Sequence, residues 1–341
     1  MSQVSVIILN WNGLHYLQDC LASIQAQTYT DFEVILVDNG STDGSVEWVA
    51  QNYPRVRLIR NEANIGFAAA NNQAIRASLA PYIVTLNNDV RADPDWLAIL
   101  VTAAKENPNV GMCMSKMLFA DRPNVLNSTG INLDPVGIAW DRRGGEPDDA
   151  PEVGPIEVFG PCAGAALYLR AMLDQIGLFD EDFFAYLEDV DLAWRARLRG
   201  WRCLYIPTAH VYHIHSATGV EGSPFKRRLL GRNKVWLIAK NYTMPRLLFY
   251  LPLILLYDWA AVLFTLVMRR DVSSLQGRIE GLRSLPGILR KRRAIQALRQ
   301  DLAHRGGQPW HRLLSPMALP WQVPARYMHL NQVARTRGNH N

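Results

Sequence analysis

Paired cysteines are missing from this chain. Cys20, Cys113, Cys162 and Cys203 stand singly in apolar surroundings, and no CxxC spacing joins any two of them. The spacing therefore gives no support to a zinc site or a dithiol centre, and free thiols in a reducing compartment are expected. The N-terminus lacks a basic n-region and a small-residue cleavage site. Val4–Leu9 is expected to be a first strand instead, with the catalytic part staying in the cytosol. Internal repeats are also lacking. What the 341 residues do have is enough apolar content, 49%, for a full core.

Charge of one sign is scarce in each half. Residues 1–220 carry 15 Lys and Arg against 26 Asp and Glu, and residues 221–341 carry 21 against 5, so −11 and +16 make the net +5. Such asymmetry points to two segments with different partners. The expected division is a domain over 1–223, in two halves that meet at about residue 110. A basic helical region follows over 224–341.

Apolar runs at Val4–Leu9, Phe32–Val37, Val56–Arg60 and Tyr82–Leu86 predict strands. Helical spacing between them covers Leu14–Ile24, Val46–Gln51 and Ala68–Leu79. This rhythm predicts an α/β fold with a doubly wound, mostly parallel sheet. Ligands of such sheets sit beyond the carboxyl ends of the strands. There the sequence places Asn10-Trp11-Asn12-Gly13, Asp38 to Asp43, Asn61 to Gly66, and Asn87-Asn88-Asp89. Each group alone is ordinary turn chemistry; four in succession suggest a site. Residues 119–157 read as turn-rich, with an exposed loop over 142–149. A strand is expected over Val158–Arg170, a helix over Leu187–Arg199 and a strand over Arg202–Ile206.

Asp38 is suited to a pyrimidine edge, with main-chain groups near Asn10 to Asn12 assisting. Asp89 is a candidate ligand for a hard cation, which carboxylate oxygen binds well. Asn87 and Asn88 would contact ribose or metal-bound water, although a strand-terminal Asp also serves as a helix cap. Glu188, Asp189 and Asp191 open a helix behind Phe183, Phe184 and Tyr186. Asp191 with Arg195 makes an ordinary i,i+4 pair. Adjacent carboxylates at Glu188 and Asp189 repel, which favours a raised pKa on one of them and suits a general base. His210, His213 and His215 follow, with alternation placing His210 on the opposite strand face from the other two.

In these residues the chain resembles glycosyltransferase family 2, whose core has the GT-A fold. The resemblance rests on Val6 to Asn12, Val37 to Gly44, Asn64-Ile65-Gly66-Phe67 with Asn71, and Leu86 to Asp89. It continues through Phe179-Asp180-Glu181, Tyr186 to Asp191, Pro207, Ala209, Val211, His213 and Arg232-Asn233, and so covers about residues 3–245. It implies inversion at the anomeric carbon, with the base in the Glu188/Asp189 pair and Mg2+ or Mn2+ held by Asp89 and His213. Asn10, Asn12, Asp38, Asn64, Gly66, Asn87, Asn88, Asp89 and Arg232 would bind the nucleotide sugar. Gly164, Tyr186 and Trp194 fall on the acceptor side. Many relatives have two aspartates where this chain has Asn88-Asp89. The Gln-x-x-Arg-Trp of processive synthases is absent, which favours transfer of one sugar. The pattern is most similar to rhamnosyltransferase-type members that build cell-surface glycans, implying a dTDP- or UDP-sugar donor.

Leu247–Met268 is apolar and 22 residues long, interrupted by Pro252 and Asp258 and flanked by basic clusters. It is long enough to span a bilayer, to lie in its interface, or to pack on protein. An anionic membrane surface, on the cytoplasmic face of a bacterial inner membrane, suits the basic flanks better than nucleic acid does. The acceptor would then be a polyprenyl-linked glycan. A second copy of the chain is left open as a partner. A nucleotidyltransferase on the same sheet and a non-catalytic nucleotide- or glycan-binding scaffold are the competing readings.

Overall fold

The computed structural model describes residues 2–150, 152–214, 223–297 and 314–315. Its centre is a ten-stranded sheet. The first half is built from β1 (Val4–Asn10), α1 (Leu14–Gln25), β2 (Phe32–Asp38), α2 (Ser45–Asn52), β3 (Arg57–Arg60), α3 (Phe67–Ala77) and β4 (Tyr82–Asn87). Strand β1 pairs in parallel with β2 and β4, and β2 with β3. Val4, Val6, Ile7 and Ile8 are fully buried, as a strand covered on both faces requires.

The second half mixes directions. After β5 (Val90–Ala92), α4 (Trp96–Glu106) leads into β6 (Val110–Phe119). Next come β7 (Arg122–Ser128), β8 (Ile131–Leu133), β9 (Ala139–Asp141), β10 (Ile156–Val158) and β11 (Ala165–Leu169). Helix α5 (Arg170–Ile176), a 3-10 turn at Glu181–Phe183, α6 (Glu188–Leu198) and β12 (Arg202–His213) complete it. Strand β11 inserts antiparallel between β4 and β6, while β12 runs parallel to β6.

Three expectations are corrected. The strand expected over Val158–Arg170 is two strands, because Pro161 has no N–H for a ladder and Gly160 lies where a Cβ would meet that of Ala193 at 2.3 Å. The strand expected to stop at Ile206 continues to His213, with a register shift between Ile206 and His210. Four short strands occupy the stretch read as turns, and its loop is tied down: Asp148 pairs with the buried Lys116 of β6, and Arg142 with Glu152. The cysteines are all free, three of them buried and Cys162 half-buried.

Beyond β12 the chain forms α7 (Pro224–Asn241), α8 (Met244–Arg269), α9 (Ser273–Arg283) and α10 (Leu285–Ala297). Ser223 and Thr243 cap α7 and α8 through side-chain acceptors, each followed by a proline in the first turn. Helices α7 and α9 touch backbone to backbone. A Cβ on Gly277 would lie 2.0 Å from the Arg228 carbonyl oxygen, and one on Gly231 2.8 Å from that of Ser274. The buried Lys240 of α7 pairs with Asp180 and, at 2.9 Å, with Asp191 of α6, which fastens the helices to the sheet half.

Among the described residues one helix, α8, is long and apolar enough to cross a membrane by length and composition. Its Asp258 meets Lys234 of α7 at 3.0 Å and Arg278 of α9 at 2.7 Å. Leu248, Phe249, Leu255, Leu256, Trp259 and Leu263 on its other side are exposed.

Candidate active site

The carboxyl ends of β1, β2 and β4 open onto a cleft of about 770 Å³. Its walls carry Asn39, Asn64 and Gly66 from the donor half, Asn87, Asn88 and Asp89 after β4, and Gly164, Tyr186, Glu188 and Asp189 from the second half. Trp11, Trp140, Phe184 and Phe225 add aromatic surface.

Asn10, Asn12 and Asp38 form the frame behind this wall. Asn10 Nδ2 donates to Asp38 Oδ1 at 3.0 Å and to Ser45 Oγ at 2.9 Å, and its Oδ1 accepts from Asn88 Nδ2 at 2.7 Å. Asp38 Oδ2 accepts from the Ser41 N–H, and Asn12 Oδ1 from that of Thr42. Asp38 is only 2% exposed, so its carboxylate fixes the loop shape first. Asn39, Asn61 and Asn64 make a second chain of amide hydrogen bonds, and Asn64 Oδ1 also holds the Gly66 N–H at 2.9 Å. Gly66 has φ +89°, and a Cβ there would lie 2.6 Å from the Phe184 carbonyl oxygen. Glycine is needed for both reasons.

Asp89 reaches His213 through sheet register. Strand β5 doubles back antiparallel to β12 with Val90 opposite His213, which sets Asp89 Oδ1 3.3 Å from His213 Nε2. His213 Nδ1 lies 2.8 Å from Asn127 Oδ1. With that oxygen as acceptor, Nδ1 donates and Nε2 turns its lone pair toward the carboxylate. Asp89 Oδ1 is itself buried without a hydrogen-bond partner. Two acceptors facing one another in a buried site fit a shared cation. Among the described residues no group of three or more His, Cys, Asp or Glu side chains could hold a metal. His210 instead faces Asp93 at 3.4 Å, and His215 lies outside the described residues.

The acidic stretch divides three ways. Asp189 is half-buried at the cleft wall. Burial pushes its carboxyl up to about 6, opposed by the N–H groups of Ala163 and Val190 at 3.3 and 2.8 Å and aided by Asp141. Glu188 is 6% exposed with Oε2 unpartnered, and burial together with the Asp189 charge pushes its carboxyl well above the usual range. Of the two, Glu188 is the more strongly biased toward its neutral form, which leaves Asp189 the better placed to carry the pair's negative charge. Asp191 is fully buried, yet Lys240 and Arg195 overcome that burial and hold it down to about 2. Arg195 Nε bonds it at 2.9 Å.

The backbone delivering this pair is strained, with positive φ at Phe184 (64°), Tyr186 (70°) and Leu187 (67°). Asn233 of α7, fully buried, holds it by donating to the carbonyls of Phe183 (3.0 Å), Ala185 (2.9 Å) and Tyr186 (2.7 Å).

Two expected site residues lie elsewhere. Arg232 does not line the cleft; its guanidinium donates to the Phe183 carbonyl at 2.9 Å and stacks 4.3 Å over Trp236. Trp194 is fully buried against Phe159 and Tyr242 and presents nothing to an acceptor. Sequence reasoning missed Trp140 and Asp141, which reach the cleft from β9. A tryptophan isolated in a polar, turn-rich stretch was the available signal.

A doubly wound sheet with an acidic cleft at its carboxyl edge defines a glycosyltransferase of the GT-A fold. Residues 5–177 match the model of glycosyl transferase family 2, and the chain belongs to that family. It is 30% identical over 249 residues to the N-acetylglucosaminyl-diphospho-decaprenol L-rhamnosyltransferase of Mycobacterium tuberculosis, covering 64% of this chain and 78% of that protein. It is 28% identical over 231 residues to the O-antigen biosynthesis protein RfbC of Myxococcus xanthus, covering 63% of this chain and 18% of that one. In structure it is similar to GalNAc-T7 with UDP, GalNAc and Mn2+, with a TM-score of 0.55 and 17% identity over 70% of this chain and half, 50%, of that chain. It is also similar to the mannosyltransferase PcManGT of Pyrobaculum calidifontis with GDP-Man and Mn2+, with a TM-score of 0.50 and 18% identity over 97% of this chain and 86% of that one. At such identities the structural likeness speaks to the fold.

Proposed function

We propose that the chain transfers a single sugar, rhamnose in the first instance, from a dTDP- or UDP-sugar to a polyprenyl-diphosphate-linked glycan, with inversion. The reading rests on one observation: a single cleft is lined by Asp189, whose carboxyl is pushed up to about 6, and by Asp89, which His213 backs at 3.3 Å. The nucleotide would lie over Asn39, Asn64 and Asn88. Asp89 and His213 would hold a divalent cation, which when bound supplies charge neutralisation for a leaving diphosphate. Asp189 takes the proton of the acceptor hydroxyl as that oxygen attacks the anomeric carbon from the face opposite the leaving group. Glu188, buried with Oε2 unpartnered and its carboxyl pushed well above the usual range, favours its uncharged form beside Asp189. Support for the lipid-linked acceptor comes from the mycobacterial relative's name and from the exposed apolar side of α8. Because Asp258 of α8 is paired with Lys234 and Arg278, spanning a bilayer would carry those charges inward. An α8 lying in the interface on the cytoplasmic face, outer side down, avoids that cost.

The test is transfer from a panel of nucleotide sugars, with Mn2+ or Mg2+, onto polyprenyl-diphosphate-linked N-acetylglucosamine. Asp189→Asn should lower transfer by about 10²- to 10⁴-fold and keep donor binding. Full activity in that variant would favour a nucleotidyltransferase, and no turnover of any donor by the native chain would favour a binding scaffold.

A further inference from the structure

A second cavity, of about 290 Å³, lies between α7, α8 and α9, and it adjoins the cleft: Ala139, Leu187 and Leu230 line both. We propose that it receives the diphosphate and first isoprenoid units of the acceptor. The inference rests on the lipid-linked acceptor proposed above and gives it a place.

Charge is the first ground. Arg227, Lys234, Arg269 and Arg278 line the cavity, and none of its lining residues is acidic. Two carboxylates stand behind them, Asp271 against Arg227 and Asp258 between Lys234 and Arg278. The buried Asp134 also acts on Lys234; these carboxylates stand outside the lining, so the side chains that line the cavity offer cations alone to a diphosphate.

Shape is the second. The wall facing those cations is apolar, formed by Tyr257, Ala260, Ala261 and Phe264 of α8. On the other side of the same helix Leu255, Leu256, Trp259 and Leu263 are 49%, 55%, 61% and 55% exposed. One helix thus separates the cavity from the surface assigned to the bilayer. The volume falls at the small end of ligand pockets, about 300–1,000 Å³. It suits a diphosphate and a short branched hydrocarbon, with the rest of the chain leaving along the outer side of α8. A free inorganic anion would gain nothing from the apolar wall.

The test uses the full chain and farnesyl diphosphate as a soluble probe in thermal shift, beside inorganic diphosphate, farnesol and anionic phospholipid vesicles. Farnesyl diphosphate should protect best. Its half-saturating concentration should rise at least tenfold in Ala261→Trp, in the milder Ala261→Leu and in Arg269→Gln, with binding of a nucleoside diphosphate and Mn2+ unchanged. Nucleotide binding also reports that each variant is folded. Equal protection by inorganic diphosphate or by vesicles overturns the assignment, as does native affinity for the probe in the filled variants. Failure of the acceptor reading looks different: the native chain would then transfer equally well to a water-soluble acceptor, whatever stands at position 261.

Discussion

Replacing Asp189 with asparagine removes the group proposed to take the acceptor proton, and the structure sets what should follow. Burial holds this carboxyl at about 6. By simple titration it is roughly one-tenth ionised at pH 5 and nine-tenths at pH 7, so kcat/KM should climb about tenfold across that interval and then level. In Asp189→Asn the rate should drop by about 10²- to 10⁴-fold and the acid limb should vanish. Because Asp141 contributes to the upward shift, Asp141→Asn should move the limb to lower pH without abolishing it. Stability gives an independent readout. The folded carboxyl titrates above its ordinary value of 3.8, so between that value and about 6 the native state holds a proton that the unfolded chain has released. The fold is then favoured below about pH 4 and loses stability as pH rises through 6, by about 1–3 kcal/mol after allowing for the side chain's opening onto the cleft. Urea denaturation of Asp189→Asn from pH 4 to 8 should lack that slope. Survival of the acid limb in the variant, or a stability slope identical to the native one, would refute the assignment.

Lys240→Met leaves Asp191 to Arg195 and Asp180 to Lys291 as their remaining cations and should destabilise the fold by about 1–3 kcal/mol in equilibrium unfolding. Asp191 itself, held at about 2, stabilises the fold above its unfolded pKa, and that contribution is lost as pH falls toward 2. Asn127→Ala removes the partner of His213 Nδ1; Mn2+ binding followed by electron paramagnetic resonance in the presence of nucleoside diphosphate should weaken about 10- to 100-fold, and unchanged binding would count against a metal at Asp89. Asn233→Ala frees the strained 184–187 loop and should lower kcat about 10- to 100-fold while nucleotide binding, measured by calorimetry, stays near native.

The first half was legible because β1, β2 and β4 are largely apolar runs, broken only by Ser5, Glu33 and Thr85, that end in Asn and Asp. Strand β6 went unassigned, although all ten of its residues are buried. It carries Ser115 and Lys116, polar residues whose burial makes sense only once the Trp96 indole donates to Ser115 and Asp148 pairs with Lys116. Site residues divide along the same line. The Glu188-Asp189 pair shows in sequence as adjacency, but the difference between its members comes from the Ala163 and Val190 N–H groups that folding brings to Asp189. The nearness of Asp89 to His213 follows from strand register across more than a hundred residues. The hold of Asn233 on three carbonyls has no signature beyond the Arg-Asn dipeptide, and there it was the neighbouring arginine that drew the functional assignment.

The ion knot at Lys240 bears on how such a protein could be divided or recombined. A cut at residue 223, where the charge asymmetry invites one, would remove both the cation between Asp180 and Asp191 and the amide that holds the base-bearing loop. A cut after Tyr242 would keep both and remove α8 with its exposed apolar side. Chimaeras that exchange α8 and the helices after it between relatives should therefore be joined near Thr243, with α7 inherited from the same parent as the sheet. Under the proposed reading, any change in acceptor-lipid preference would then trace to α8 and α9, because the α7 wall of the cavity is unchanged.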